Sequence, residues 1–199
     1  AGWPAAEPTP KWRWNYMSHV VNNAMAIKAP ALWWRFTGDP GDRKAAYDML
    51  EKLMRHHGMP TGVFTGDECL AGTRPTHGTE LCAVVELAFS LETLIWTLGD
   101  PVFADQLERV IFNALPATFT ADMWAHQYDQ QVNQVMCAVQ GKTVSGTPMA
   151  LNPTCSDWSP ITAAARRTSV RGGRSSLTIS GCAAATVPHS WPRPMRLAA

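Results

Sequence analysis

The sequence predicts an all-α chain built from helical hairpins, on three observations. Apolar residues recur at helical spacing along most of residues 17–115. The joints TGDP (37–40) and LGDP (98–101) repeat one move: Gly stops a helix, Asp caps the next and Pro opens it. No convincing series of alternating strand patterns is present. Repeated hairpins of this kind point to an array such as an α/α toroid, and a plain helix bundle satisfies the same pattern.

The elements follow in order. MSHVVNNAMAIKA (17–29) reads as a helix ending before Pro30, with a short apolar stretch, ALWWRFT, after it. In the next helix Ala46, Met49, Leu50, Leu53 and Met54 share a face, and Gly58 is the natural stop. Residues 59–78, rich in Gly and Pro, read as a loop. From Thr79 to Leu98 a strong helix carries Leu81, Val84, Val85, Ala88, Leu91 and Ile95 on its apolar side. Gly99 ends it, and Asp100 and Pro101 start a helix through FADQLERVIFNAL. TADMWAHQYDQQVNQVM (120–136) is polar and aromatic, suited to a loop that lines a pocket or to a solvated connection.

Composition sets the function classes. The 199 residues suffice for one domain with a core. Six of the 17 basic residues, all Arg, lie in 161–199, which holds no acid. The rest of the chain is therefore mildly acidic, which argues against nucleic-acid binding. No uninterrupted apolar run reaches the roughly 18–20 residues of a bilayer span, so no membrane partner is expected. AGWPAAEPTPKWRWNYM lacks an initiator Met and an apolar leader, and reads as a segment cut from a longer chain. The five Cys, at 69, 82, 137, 155 and 182, do not space as a disulfide framework. Free thiols favour a cytoplasmic setting, although the start of the chain leaves localisation open.

From about residue 157 the chemistry changes, dividing the chain into 1–156 and an irregular tail, 157–199. The stretch 161–199 has no Asp, Glu, Lys, Asn or Gln. Disordered linkers usually favour Glu, Lys and Gln. GC-rich DNA read out of frame has this composition. Back-translating Asp157 to Ser176 with allowed codons and reading two bases later spells LEPDHGCCTANIGQGWPKF. A frameshifted translation is the reading that follows, with the change of frame between residues 138 and 157.

GVFTGDECLAG, HGTELCAVVE, LGDPVFADQLERVIFNALPATF and MWAHQYDQQVNQV together resemble glycoside hydrolase family 127, the β-L-arabinofuranosidases and relatives, over about residues 12–137. The out-of-frame GCCTAN and GWPKF match the stretch expected next. The resemblance implies part of an (α/α)6 barrel and action on L-arabinofuranose-containing glycans. It implies Zn²⁺ held by one Glu and three Cys, one of these thiolates being the nucleophile of a two-step retaining scheme, with a separate Glu as acid and base. Coordination keeps a thiol deprotonated at neutral pH, and thiolate and carboxylate are normal zinc ligands.

Carried over by position, Glu80 and Cys82 match the Glu-x-Cys zinc pair. Without a metal, Glu80 is a helix-start charge on the dipole and Cys82 a core thiol. Glu68 in GDECL matches the acid/base, with Asp67 as the neighbouring alternative. His19 fits a His that contacts the sugar. His126, Tyr128 and Gln130 are candidate sugar partners, whereas His77 is not required as a ligand. Trp12, Trp14, Trp33 and Trp34 are expected in the core rather than stacked on a sugar. The adjacent Cys pair that would complete the zinc site and supply the nucleophile is missing from the translated chain, and the single Cys155 does not replace it. An inactive fragment of a hydrolase is the expectation. A non-catalytic helical scaffold or glycan-binding module, and a metal-free enzyme using Glu68 and Glu80, are the alternatives.

Overall fold

The structure, a computed structural model, describes residues 3–119, 121, 125–134, 136–138 and 155–160. Among these, five α-helices carry the fold: α1 (Val20–Ala26), α2 (Ala29–Thr37), α3 (Pro40–His57), α4 (Leu81–Leu98) and α5 (Pro101–Arg109). The class is all-α, as expected.

Both repeated joints form as the sequence indicates. Gly38 and Gly99 sit at φ 68°, the left-handed conformation that ends α2 and α4. Asp39 accepts a hydrogen bond from the Gly41 amide, and Asp100 from that of Val102. Each joint turns the chain back, so that α2 packs on α3 and α4 on α5.

Pro30 behaves differently from expectation. The chain breaks earlier, and Pro30 lies in the first turn of α2, where its missing N–H is no loss. ALWWRFT is therefore helical. The tryptophans also depart from expectation: Trp12, Trp14 and Trp33 are exposed and Trp34 is half-buried, because the core is filled by aliphatic side chains.

That core is centred on α4. Leu81, Val84, Val85, Ala88 and Leu91 are buried as the stripe predicts, while Ile95 is only partly so. Ala83, Leu87 and Leu94 are buried as well, so α4 is covered on most sides rather than along one face. It packs against Val20 and Ala24 of α1, with Ile27 just beyond that helix, and against Phe103 and Leu107 of α5. At 18 residues and mean hydropathy 1.7, α4 is long and apolar enough by composition to cross a membrane, although Glu86 and Glu92 interrupt its apolar run. Half of it is buried here, as befits a core helix.

Seven short strands were not expected: β1 (Gly66–Asp67), β2 (Cys69–Leu70), β3 (Thr79–Glu80), β4 (Ala125–Gln127), β5 (Asp129–Gln130), β6 (Met136–Ala138) and β7 (Cys155–Pro160). Most are two or three residues long, too short to leave a readable alternation. One sheet has the order β2-β1-β3-β5, the other β4-β7-β6. Strand β7 crosses the composition change placed at residue 157. Residues 161–199, the rest of the anomalous tail, lie outside the described residues, as does the missing-cysteine question.

Candidate active site at the mouth of helix α4

Two loops and one helix start build the site. Gly66 of β1 lies so close to α1 that a Cβ would overlap the Val20 side chain. This contact lets the 66–70 turn lie along the start of α1. There the Val20 amide donates to the Glu68 carbonyl at 2.9 Å, and the Leu70 amide to the Ser18 carbonyl at 2.9 Å. Glu68 stands at the tip with φ 66°, a conformation that side chains other than Gly rarely adopt. Its carboxylate is half-exposed and faces His19, with Nε2 to Oε2 at 3.6 Å. His19 is itself mostly buried, and its Nδ1 has no partner among the described residues. The Trp14 ring lies 5.6 Å from the His19 ring, which places an exposed aromatic beside the pair.

Glu80 is the hub. It ends β3 and is the N-cap residue of α4, in an extended conformation (φ −70°, ψ 141°). Positions i and i+2 diverge on a regular helix. Because Glu80 belongs to the strand and Cys82 to the helix, the divergence does not apply. Cys82 Sγ lies 3.3 Å from Glu80 Oε2. Glu80 makes no cap hydrogen bond to α4. Its other oxygen, Oε1, accepts the backbone amide of Glu68 instead. One carboxylate thus joins the acid-bearing turn to the thiol.

Tyr128 closes the group from the far side. Strand β5 pairs with β3, Glu80 opposite Asp129, and the Leu81 amide donates to the Tyr128 carbonyl at 2.7 Å. The Tyr128 hydroxyl meets Cys82 Sγ and lies 3.4 Å from Glu80 Oε2. Gln130, on the same strand, is buried and donates to the Ala114 carbonyl at 2.8 Å. His126 lies on β4, paired with Ser159, and its Nδ1 is buried without a partner among the described residues. The contacts that join Glu68, Glu80, Cys82 and Tyr128 do not include it. His77 lines a separate shallow pocket with Met59, Thr79 and Gln131.

The electrostatics follow from burial. Glu80 is 1% exposed, and desolvation raises its pKa above the usual carboxylate range, against the Glu68 amide and the Cys82 thiol, which lower it. Burial pushes the Cys82 thiol up to about 12, with the Tyr128 hydrogen bond opposing the rise. Tyr128 is raised too, first by burial and then by its bond to Cys82. Two groups that resist ionising side by side in a dry place are what a bound cation would reverse.

The residues fit zinc as two donors. Bond lengths of about 2.3 Å to sulfur and 2.0 Å to oxygen at a tetrahedral angle put the two ligand atoms about 3.5 Å apart. The observed 3.3 Å is close to that. Among the described residues no group of three or more His, Cys, Asp and Glu side chains is placed to hold a metal.

Comparison with known proteins bears on the fold and the family. No curated protein matches the chain at a significant level. The fold is similar to that in the crystal structure of a GH127 beta-L-arabinofuranosidase from Geobacillus stearothermophilus T6, with a TM-score of 0.58 at 16% identity. The match covers 79% of this chain but only 26% of that one, so the chain spans about a quarter of the related enzyme's length. The family described as "Beta-L-arabinofuranosidase, GH127 catalytic domain" matches residues 14–143. That stretch holds both GDP joints, the Glu68 turn and the Glu80–Cys82 pair, and the chain belongs to this glycoside hydrolase family.

Proposed function

We propose that this chain is the part of a zinc-dependent, retaining β-L-arabinofuranosidase that carries the acid/base and half of the metal site. The observation behind this reading is the convergence of Glu80 Oε2 and Cys82 Sγ at 3.3 Å, with Oε1 of the same carboxylate on the Glu68 amide. Glu80 and Cys82 would hold Zn²⁺, which keeps thiol ligands ionised at neutral pH when bound. Glu68, half-exposed and tethered by its backbone, would give its proton to the leaving glycosidic oxygen and then take one from water. His19, 3.6 Å away, would orient that carboxylate or meet a sugar hydroxyl. Exposed Trp14 offers an apolar face for the ring of an L-arabinofuranose-containing glycan.

The nucleophilic thiolate would come from the adjacent Cys pair that the translated chain lacks. The polypeptide as it stands is therefore proposed to be inactive. The metal-free, two-carboxylate alternative is disfavoured because Glu80 is buried and engaged by an amide and a thiol rather than open to substrate.

The test is cleavage of a chromogenic β-L-arabinofuranoside in the presence of Zn²⁺. The chain as translated should release no product. A full-length version, with the rest of the catalytic barrel present and the downstream reading frame shifted to encode Gly-Cys-Cys-Thr-Ala-Asn, should release it, and Glu68→Gln in that version should lower the rate by about 10²–10⁴-fold. Product from the translated chain itself would contradict the reading.

A further inference from the structure

Tyr128 meets both donors of the candidate metal pair and is not one of them. Its hydroxyl touches Cys82 Sγ and stands 3.4 Å from Glu80 Oε2, while Sγ and Oε2 are 3.3 Å apart. The three atoms form a closed triangle. Its backbone is fixed independently, by the Leu81 amide at 2.7 Å and by the β3–β5 pairing. Tyr128, the bend residue just before β5, is thus tied to the segment that carries Glu80.

The proton inventory gives this arrangement a purpose. In the metal-free chain the thiol S–H and the phenol O–H both have Glu80 Oε2 as an acceptor. Were a cation held there, Cys82 would be a thiolate and an acceptor beside the Glu80 carboxylate. The Tyr128 O–H can then rotate onto Sγ without moving its ring, as a charge-assisted hydrogen bond.

We propose that Tyr128 is a positioning residue whose hydroxyl, in contact with both Glu80 Oε2 and Cys82 Sγ, holds them as a preformed two-point cation site. This rests on the metal reading given above. A role in holding the sugar is a different one and would leave metal affinity unchanged.

The probe is Co²⁺ titrated into the metal-free chain and followed by thiolate-to-metal charge-transfer absorption. Tyr128→Phe should bind Co²⁺ about 10–100-fold more weakly than the wild-type chain, the size of effect expected on losing a hydrogen bond behind a ligand. Tyr16→Phe, at an exposed tyrosine, should bind as the wild type does. Equal affinity in Tyr128→Phe and a wild-type chain that does bind overturns the positioning role alone. Absence of any charge-transfer band in the wild type overturns both this role and the metal reading. Should Tyr128→Phe lose its helical circular dichroism, the decision passes to the wild-type chain. There Co²⁺ should perturb tyrosine ultraviolet absorption in step with the charge-transfer band, and an unperturbed tyrosine signal overturns the proposal.

Discussion

Glu68 holds a backbone conformation that an L side chain adopts at a cost of about 1–2 kcal/mol. Such strain persists where surrounding structure over-determines it, and it clusters at functional sites. Here the Val20 and Leu70 amides pin the turn on both sides, and Glu80 holds the Glu68 amide. Exchanging Glu68 for Gly should therefore leave the chain about 1 kcal/mol more stable than exchanging it for Ala, as read by urea unfolding. Equal stability of the two variants would remove the strain argument. None of this strain was legible in GDECL, where Gly66 is the residue that invites a left-handed turn. The carboxylate was legible by resemblance, and so was the Glu-x-Cys pair. What the spacing could not show is that Glu80 lies in a strand, so that a pair two apart still meets.

At the scale of elements, the caps and stops were readable because their chemistry is local: an Asp oxygen two residues before an amide, a Gly where φ must be positive. Pro30 misled because Pro both ends and begins helices, and only packing decides which. The short strands around the site were hidden for a related reason, since long-range pairing creates them. His57, the last residue of α3, is a second feature of that kind. It is fully buried, with Nε2 donating to the Ala5 carbonyl at 2.8 Å and Nδ1 accepting from the Gly72 amide at 2.9 Å. Those two bonds require the neutral ring, and burial lowers its pKa. The unfolded chain therefore binds the proton more readily. This contribution to stability is fully present above about pH 6.5 and is lost as pH falls toward the folded value. The urea midpoint should drop between pH 7.5 and 5.5, and His57→Ala, which leaves two backbone groups unpaired at about 1–3 kcal/mol each, should lower it and flatten the slope. Because Glu80, with its raised pKa, contributes in the opposite sense in both proteins, equal pH slopes in the wild-type chain and His57→Ala would contradict the neutral clamp.

Taken whole, the molecule is a core helix wrapped by hairpins, with large apolar side chains left outside. Trp33 and Phe36 of α2 are 60% and 83% exposed, and Trp96 and Phe112 are exposed as well. Patches of this kind drive association. The chain should self-associate with rising concentration in sedimentation velocity, and Trp33→Ser with Phe36→Ser should reduce that without loss of helical signal. A monomer at every concentration would mean the patches are too small to matter. The barrel as a closed object was never in the periodicity, which sees one hairpin at a time, and entered through the family's motifs. The most direct test of the account concerns the pair at the mouth of α4. X-ray absorption at the zinc edge of the Zn²⁺-loaded chain should show one sulfur at about 2.3 Å among oxygen or nitrogen ligands at about 2.0–2.2 Å, with the sulfur lost in Cys82→Ser. A spectrum with oxygen and nitrogen neighbours alone, unchanged by that substitution, would contradict it.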